Sequence, residues 1–263
     1  MNTGTSLRRS FDIQRRVIGA LLMREILTRY GRHNIGFMWL FFEPMLFTLG
    51  ITLLWSMVKV EHVANVPITP FALTGYSSVL VWRNAVNRCN LAIEPNLSLL
   101  FHRNVRVLDI FFARILLEIA GATISFIVLA LVFISTGLAK PPSDVLRIAE
   151  GWALLIGYAV GLGLVIGSLS ERSETIDRVW HTITYLTFPL SGAAFMVDWL
   201  PQSLQRLALY MPMVNGVEML REGYFGAPLK FHYDWAYFAI VDLILIFAGL
   251  FMARETGKRV EPQ

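Results

Sequence analysis

"IFFARILLEIAGATISFIVLALVFIST", residues 110–136, runs for 27 residues with only two charges, Arg114 and Glu118. About 20 apolar residues cross the hydrocarbon core of a bilayer, and this run exceeds that length. The whole chain agrees with it: 55% of its 263 residues are hydrophobic and 16% are charged, and its mean hydropathy is +0.55. A soluble domain carries nearer a quarter of charged residues. The sequence therefore describes an all-α integral membrane protein.

Outward from that run, five more apolar stretches are legible at residues 35–58, 66–88, 148–169, 179–196 and 235–253, giving six spans. An even number puts both termini on one side. With the N-terminus in the cytoplasm, the inside segments hold fifteen of the 23 Lys and Arg residues and the outside segments six, with Arg83 and Arg88 set apart. Positive charge accumulates on the cytoplasmic side, so both termini are expected there. The chain divides into a cytoplasmic N-terminal region (1–34), a transmembrane domain (35–254) and a cytoplasmic tail (255–263). The start, "MNTGTSLRRSFDIQRR", is polar and basic, with no apolar core of the signal-peptide kind. The one cysteine, Cys89, excludes an internal disulfide.

No phosphate-binding loop is present: Gly257-Lys258 is the only Gly-Lys pair, and Arg259 follows where Ser or Thr is needed. The five histidines show no metal-ligand spacing, and no serine sits in a nucleophile elbow. No enzyme signature is visible, no cofactor is expected in this chain, and nothing suggests a nucleic-acid partner. Energised work would need a nucleotide hydrolysed by another chain.

The second span ends in "VWRNAVNRCN" (81–90). On a helical wheel Arg83, Asn84, Asn87, Arg88 and Asn90 occupy one half, while Val81, Trp82, Ala85, Val86 and Cys89 occupy the other. One reading is positional, with both arginines reaching the cytoplasmic head groups. The other is a polar face lining a wet path, because intramembrane ionisable groups mark pathways and arginine binds carboxylates and phosphates in bidentate fashion. Trp39, Phe42, Trp82, Tyr185 and Phe188 are candidates for stacking sugar rings, although aromatic residues of a span more often face lipid or core. Arg114 and Glu118, four apart, are spaced to pair with each other. Asp242 has no partner visible in sequence.

In the first inside loop, "PNLSLLFHRNVRVLD" (95–109), one helical face carries Leu97, Leu100, Phe101, Val105 and Leu108, and the other carries Ser98, His102, Arg103, Arg106 and Asp109. Such a helix lies on membrane lipid or docks into a cytoplasmic partner. The N-terminal stretch 11–30 also reads as a helix. Between the last two spans, "LPQSLQRLALYMP" and "MVNGVEMLREGYFG" read as short helices interrupted by Pro212, the second ended by Gly223. They are periplasmic or re-entrant, with Leu204, Leu207 and Met211 on one side of the first.

"MREILTRYGRHNIGFMWLFFEPM" (23–45) resembles the entry to the first span of ABC-2-type exporter permeases. "RVWHTITYLTFPLSGAAFMVDWLP" (178–201) and "YMPMVNGVEMLREGYFG" (210–226) are similar to the permease branch of group 2 capsular polysaccharide exporters, the KpsM type. The resemblance implies a homodimer in the bacterial inner membrane, with a separate cytoplasmic ATPase that binds ATP and Mg. It implies lipid-linked acidic polysaccharide leaving through a channel between the copies, with a periplasmic co-polymerase-type protein and an outer-membrane exporter continuing the path. The 97–108 helix becomes a coupling helix for the ATPase, and Glu171 and Arg172 in "SERSETID" (170–177) a second contact. The segment 200–225, with Glu218, Arg221 and Glu222 beside Leu204, Leu207 and Met211, becomes a periplasmic gate. O-antigen or teichoic acid permeases are the nearest alternatives. A secondary transporter would need a repeat or facing relay acids, and the sequence has neither.

Overall fold

A computed structural model of the chain describes residues 7–31, 34–57, 62–63, 66–100 and 105–260. It contains α1 (Leu7–Tyr30), α2 (Asn34–Met57), α3 (Ile68–Cys89), α4 (Leu97–Leu100), α5 (Val107–Ser135), α6 (Val145–Ser170), α7 (Glu174–Leu190), α8 (Gln202–Leu209), α9 (Pro212–Phe225) and α10 (Trp235–Val260). Among the described residues, the two-residue strands β1 (His62–Val63) and β2 (Val66–Pro67), paired antiparallel, are the only departure from helical secondary structure.

Four helices among the described residues are long and apolar enough to cross a membrane: α2 (through its Met38–Trp55 window), α5, α6 and α10. The other two expected spans are helices as well, α3 and α7, but they fall short for opposite reasons. α3 carries the Arg and Asn face, and α7 has 17 residues. α7 ends at Leu190, one residue after Pro189, and Gly192 turns the chain at φ +84°. The expected fifth span, drawn to residue 196, is thus shortened by that turn.

α6 is the central post, packed by α3, α5, α9 and α10. Helices in lipid gain little from hydrophobic association and approach closely through small residues. α6 has glycines at the contacts: a Cβ at Gly161 would lie 2.7 Å from Leu245 Cβ on α10, and one at Gly167 would lie 2.9 Å from the Cys89 carbonyl oxygen on α3. The exposed surfaces of two of these helices are apolar, with Ile240, Leu243, Ile244, Phe247 and Phe251 along α10 and Ile124, Ile127, Val128 and Leu131 along α5. A patch of this size suits a bilayer and not water.

Two boundaries differ from the sequence reading. The expected continuous helix over 95–109 does not form. α4 is described only at Leu97–Leu100, and Arg106 is extended (φ −117°, ψ 158°) as the N-cap of α5. Asp109 explains the break, because its Oδ2 accepts the Arg106 amide at 2.9 Å and starts a new helix. α9 also continues past Gly223, to a cap at Gly226 with φ +60°. Gly223 is there for proximity: an added Cβ would sit 2.6 Å from the Ile148 amide nitrogen.

The contacts define two ends of the bundle. At one end Leu91 N donates to Ser170 Oγ (3.1 Å), Gln14 donates to Asp109, and Arg172 donates to the Met252 carbonyl (3.2 Å) near the end of α10. At the other, Tyr224 OH donates to the Lys140 carbonyl (3.0 Å) and the Asp144 amide to the Gly223 carbonyl (2.8 Å). The α1 and α10 ends of the described chain therefore share the first end.

Candidate functional site

The two-faced end of α3 is realised residue by residue. Val81, Trp82, Ala85, Val86 and Cys89 are buried against the core, while Arg83, Asn84, Asn87, Arg88 and Asn90 are half-buried on the opposite side. α7 lies along that polar side and satisfies much of it. Asn87 Oδ1 accepts from Trp180 Nε1 at 3.0 Å and from Thr184 Oγ1 at 3.4 Å, and Asn90 donates its side-chain amide to Asp177. Arg88 Nε lies 3.2 Å from Glu118 Oε1 of α5.

Arg83 is held differently. Its guanidinium carbon lies 5.7 Å from the Tyr185 ring centroid and 5.4 Å from that of Phe188. Its buried Nε has no hydrogen-bond partner among the described residues. Cation–π contact steadies such a group without consuming its donors, so this arginine keeps its hydrogen-bonding capacity. Phe188 stacks on Tyr76 (5.9 Å between centroids), and Phe47 of α2 meets both rings edge-on at 6.1 Å. Together α2, α3 and α7 form one face on which a cation sits beside aromatic rings.

Of the aromatic residues singled out in the sequence, Tyr185 is 71% exposed on this face, and Trp39 (51%) and Phe42 (41%) are exposed on α2. Trp82 is removed from it: it is 1% exposed and lies edge-on to Tyr158 in the core. Phe188 is partly buried under Arg83.

The elbow after α3 is tied to the junction of α6 and α7, within the 170–177 segment. Leu91 takes φ +46°, a left-handed conformation that costs a non-glycine residue on the order of 1 kcal/mol. The turn is held by Ser170, and by Glu171 Oε1, which accepts the Ile93 amide at 2.7 Å. Burial pushes the Glu171 carboxyl above its ordinary range, and the bond from Ile93 opposes that rise. Of the proposed ATPase-coupling residues, Leu97 is exposed, Leu100 is buried at 5%, Val105 is half-buried and Arg106 is exposed. Phe101, His102 and Arg103 lie outside the described residues. Arg172 reaches Met252 and Thr256 of α10.

At the opposite end, Leu204 and Leu207 are exposed on α8 and Met211 is partly buried. Glu222 accepts from Tyr233 and lies 3.3 Å from Arg147. Arg221 is fully buried and donates to three carbonyls just beyond α7: Gly192 (2.7 Å), Ala193 (2.8 Å) and Phe195 (2.5 Å). Its guanidinium lies 4.1 Å from the Phe71 ring centroid. Glu218, 3.9 Å from it, accepts the Val197 amide (3.2 Å) and the His232 amide (3.3 Å). This knot was not legible as such. Its one sequence signal was a Glu-x-x-Arg pair on one face of an apolar helix.

Arg114 and Glu118 do not pair with each other. Arg114 Nε lies 3.4 Å from Glu25, and Glu118 meets Arg29 and Arg88. The partners come from α1 and α3, where i,i+4 spacing gives no hint of them. Asp242 is buried at 5% with its Oδ1 unpartnered among the described residues.

Cys89 supplies a check on this geometry. A membrane-impermeant maleimide is expected to leave it unlabelled in the native protein, where it is 0% exposed, and to label it after denaturation. Native labelling would place the core face of α3 on the outside.

Residues 16–225 match the model of the ABC-2 type transporter family. The chain is 48% identical over 259 residues to the capsule polysaccharide export inner-membrane protein CtrC of Neisseria meningitidis serogroup B, covering 98% of each chain. It is 43% identical to BexB of Haemophilus influenzae, also named a capsule polysaccharide export inner-membrane protein, again over 98% of each. It is 26% identical over 247 residues to the polysialic acid transport protein KpsM of Escherichia coli, covering 94% of this chain and 96% of that one. The chain belongs to the ABC-2 type transporter family.

Proposed function

We propose that this chain is the inner-membrane permease subunit of an ATP-driven exporter of capsular polysaccharide. The observation that carries this reading is its end-to-end similarity to proteins named for capsule polysaccharide export. Those names also favour capsule over O-antigen or teichoic acid as cargo. In this reading α2, α3, α5, α6, α7 and α10 are the six spans, with both termini in the cytoplasm. Two copies enclose the path. A separate ATPase docks at the elbow between α3 and α5 and at the 170–177 segment where α6 meets α7. A periplasmic co-polymerase-type protein and an outer-membrane exporter receive the product.

Within the permease, the face formed by α2, α3 and α7 lines the cytoplasmic half of the path. Arg83 is the cation that meets an acidic sugar or the lipid-phosphate end, because it alone among the α3 arginines has no carboxylate partner in the described residues. Tyr185, Phe188, Trp39 and Phe42 give the sugar rings faces to slide over. Asn87 and Asn90 hold α3 to α7 and shape the face from below, and Arg88, beside Glu118, is a second cation at its edge. Leu204, Leu207 and Met211 of α8 sit at the periplasmic gate, and the Glu218–Arg221 knot fixes that gate to α7.

The test is complementation. A capsulate strain lacking its own permease is expected to regain surface capsule when this chain is expressed together with its ATPase, and to retain intracellular polysaccharide when the ATPase is hydrolysis-dead. Normal surface capsule with the dead ATPase would overturn the ATP-driven reading.

A further inference from the structure

One carboxylate oxygen is shared by two arginines from different helices. Oε1 of Glu118 on α5 accepts Arg29 of α1 and lies 3.2 Å from Arg88 Nε of α3. The Glu118 side chain is 6% exposed and that of Arg29 16%, while Arg88 is 42% exposed. Arg29 has a second acid, Glu43 Oε2 at 3.8 Å, itself half-exposed. Among the described residues Arg88 thus meets one carboxylate, with its Nε at that shared oxygen, and its side chain stays 42% exposed. A phosphate or carboxylate arriving there binds a guanidinium with two parallel hydrogen bonds, a better match than one shared oxygen.

α1 is tied to the rest of the chain by polar pairs along its length. Gln14 donates to Asp109, Arg24 donates to Asn96 in the elbow before α4, Glu25 lies 3.4 Å from Arg114, and Arg29 binds Glu118. Arg114 in turn donates to the Arg88 carbonyl at 2.8 Å. The last of these ties weakens when Glu118 is divided between two cations and strengthens when Arg88 is drawn off.

We infer that Glu118 is a shared counter-ion, so that an oxyanion of the substrate taken by Arg88 releases Glu118 entirely to Arg29 and tightens α1 onto α5. Glu118 is a positioning residue in this scheme, and the ligand is a phosphate or carboxylate. Because Arg24 of the same helix holds the elbow, occupancy at Arg88 is communicated to the segment leading into α4. Coupling of this kind is reciprocal: whatever tightens α1 on α5 raises the affinity of Arg88 for the anion. The inference rests on the export reading for the identity of the anion, though not for the coupling.

The experiment uses the full chain in nanodiscs with two probes, a fluorescent short-chain phosphatidic acid and a fluorescent tetragalacturonate, which separate a lipid phosphate from a sugar carboxylate as the source. Glu118→Gln removes the competitor and is expected to tighten binding of one probe by roughly threefold or more, a shift of the size of a partly exposed ion pair. Arg29→Gln leaves Glu118 to Arg88 alone and is expected to weaken the same probe by a similar factor. Arg88→Gln, added to either, is expected to abolish both shifts. A merely structural role for the cluster would move both variants in one direction. Shifts of the same sign, no shift with either probe, or shifts that survive Arg88→Gln would each overturn the inference. If Glu118→Gln does not accumulate, unchanged affinity in Arg29→Gln overturns it alone. Capsule complementation tests the export reading separately, and its failure leaves these titrations unaffected.

Discussion

Arg221→Ala is expected to deplete the membrane of folded protein. The side chain is fully buried, answers three carbonyls at the end of α7, stacks on Phe71 and is the charge nearest to buried Glu218. Removing one partner of a buried ionic contact costs about 3–5 kcal/mol, because the other charge stays behind uncompensated. Orphaned carbonyls add to that, at about 1–3 kcal/mol each where water cannot reach them. The total approaches the whole stability of an ordinary domain, about 5–15 kcal/mol. Arg221→Lys keeps the charge but has one compact head for three divergent acceptors and no plane to stack, so it is expected to fall between the two. Thermal unfolding of the detergent-solubilised protein, followed by fluorescence size-exclusion, reads the effect. Wild-type thermal stability in Arg221→Ala would mean that the knot does not hold α7 to α9.

Arg83→Met is expected to reduce surface capsule about tenfold or more while the protein accumulates normally. Methionine keeps much of the apolar stem between Tyr185 and Phe188, so packing changes little, and what is lost is the guanidinium. A tenfold loss corresponds to about 1.4 kcal/mol, at the lower edge of what a hydrogen bond to a charged group contributes. Arg83→Lys is expected to retain part of the activity, since a point charge replaces a planar fork. Surface staining of capsule, normalised to membrane protein level, distinguishes these outcomes. Normal export in Arg83→Met would assign Arg83 to holding aromatic rings and nothing more.

The separation on α3 was legible because periodicity is local: 3.6 residues per turn places Arg83, Asn84, Asn87 and Arg88 together whatever surrounds them. What that face touches was not legible. α7 takes up Asn87 and Asn90 through Trp180, Thr184 and Asp177, about 90 residues away in sequence, so a stripe that reads as uniformly available leaves Arg83 as the α3 arginine without a carboxylate partner among the described residues. Arg114 and Glu118 show the same limit from the other direction. Their spacing permits a pair, yet α1 and α3 bring the partners they meet, which no helical wheel contains. The apolar runs located the helices well because length and composition suffice for that. Their ends were set by tertiary detail: Asp109 capping α5, the turn at Gly192 after Pro189, and the close approach of Ile148 to Gly223.

In the proposed reading, polysaccharide passes the face formed by α2, α3 and α7. A photo-crosslinking amino acid at position 185, beside Arg83, tests it most directly in cells exporting capsule with an active ATPase. A permease adduct that reacts with capsule-specific antibody is expected at position 185, and none when the same group is placed at Leu131, exposed on the apolar side of α5. Adducts at 131 and not at 185, or equal adducts at both, would contradict it.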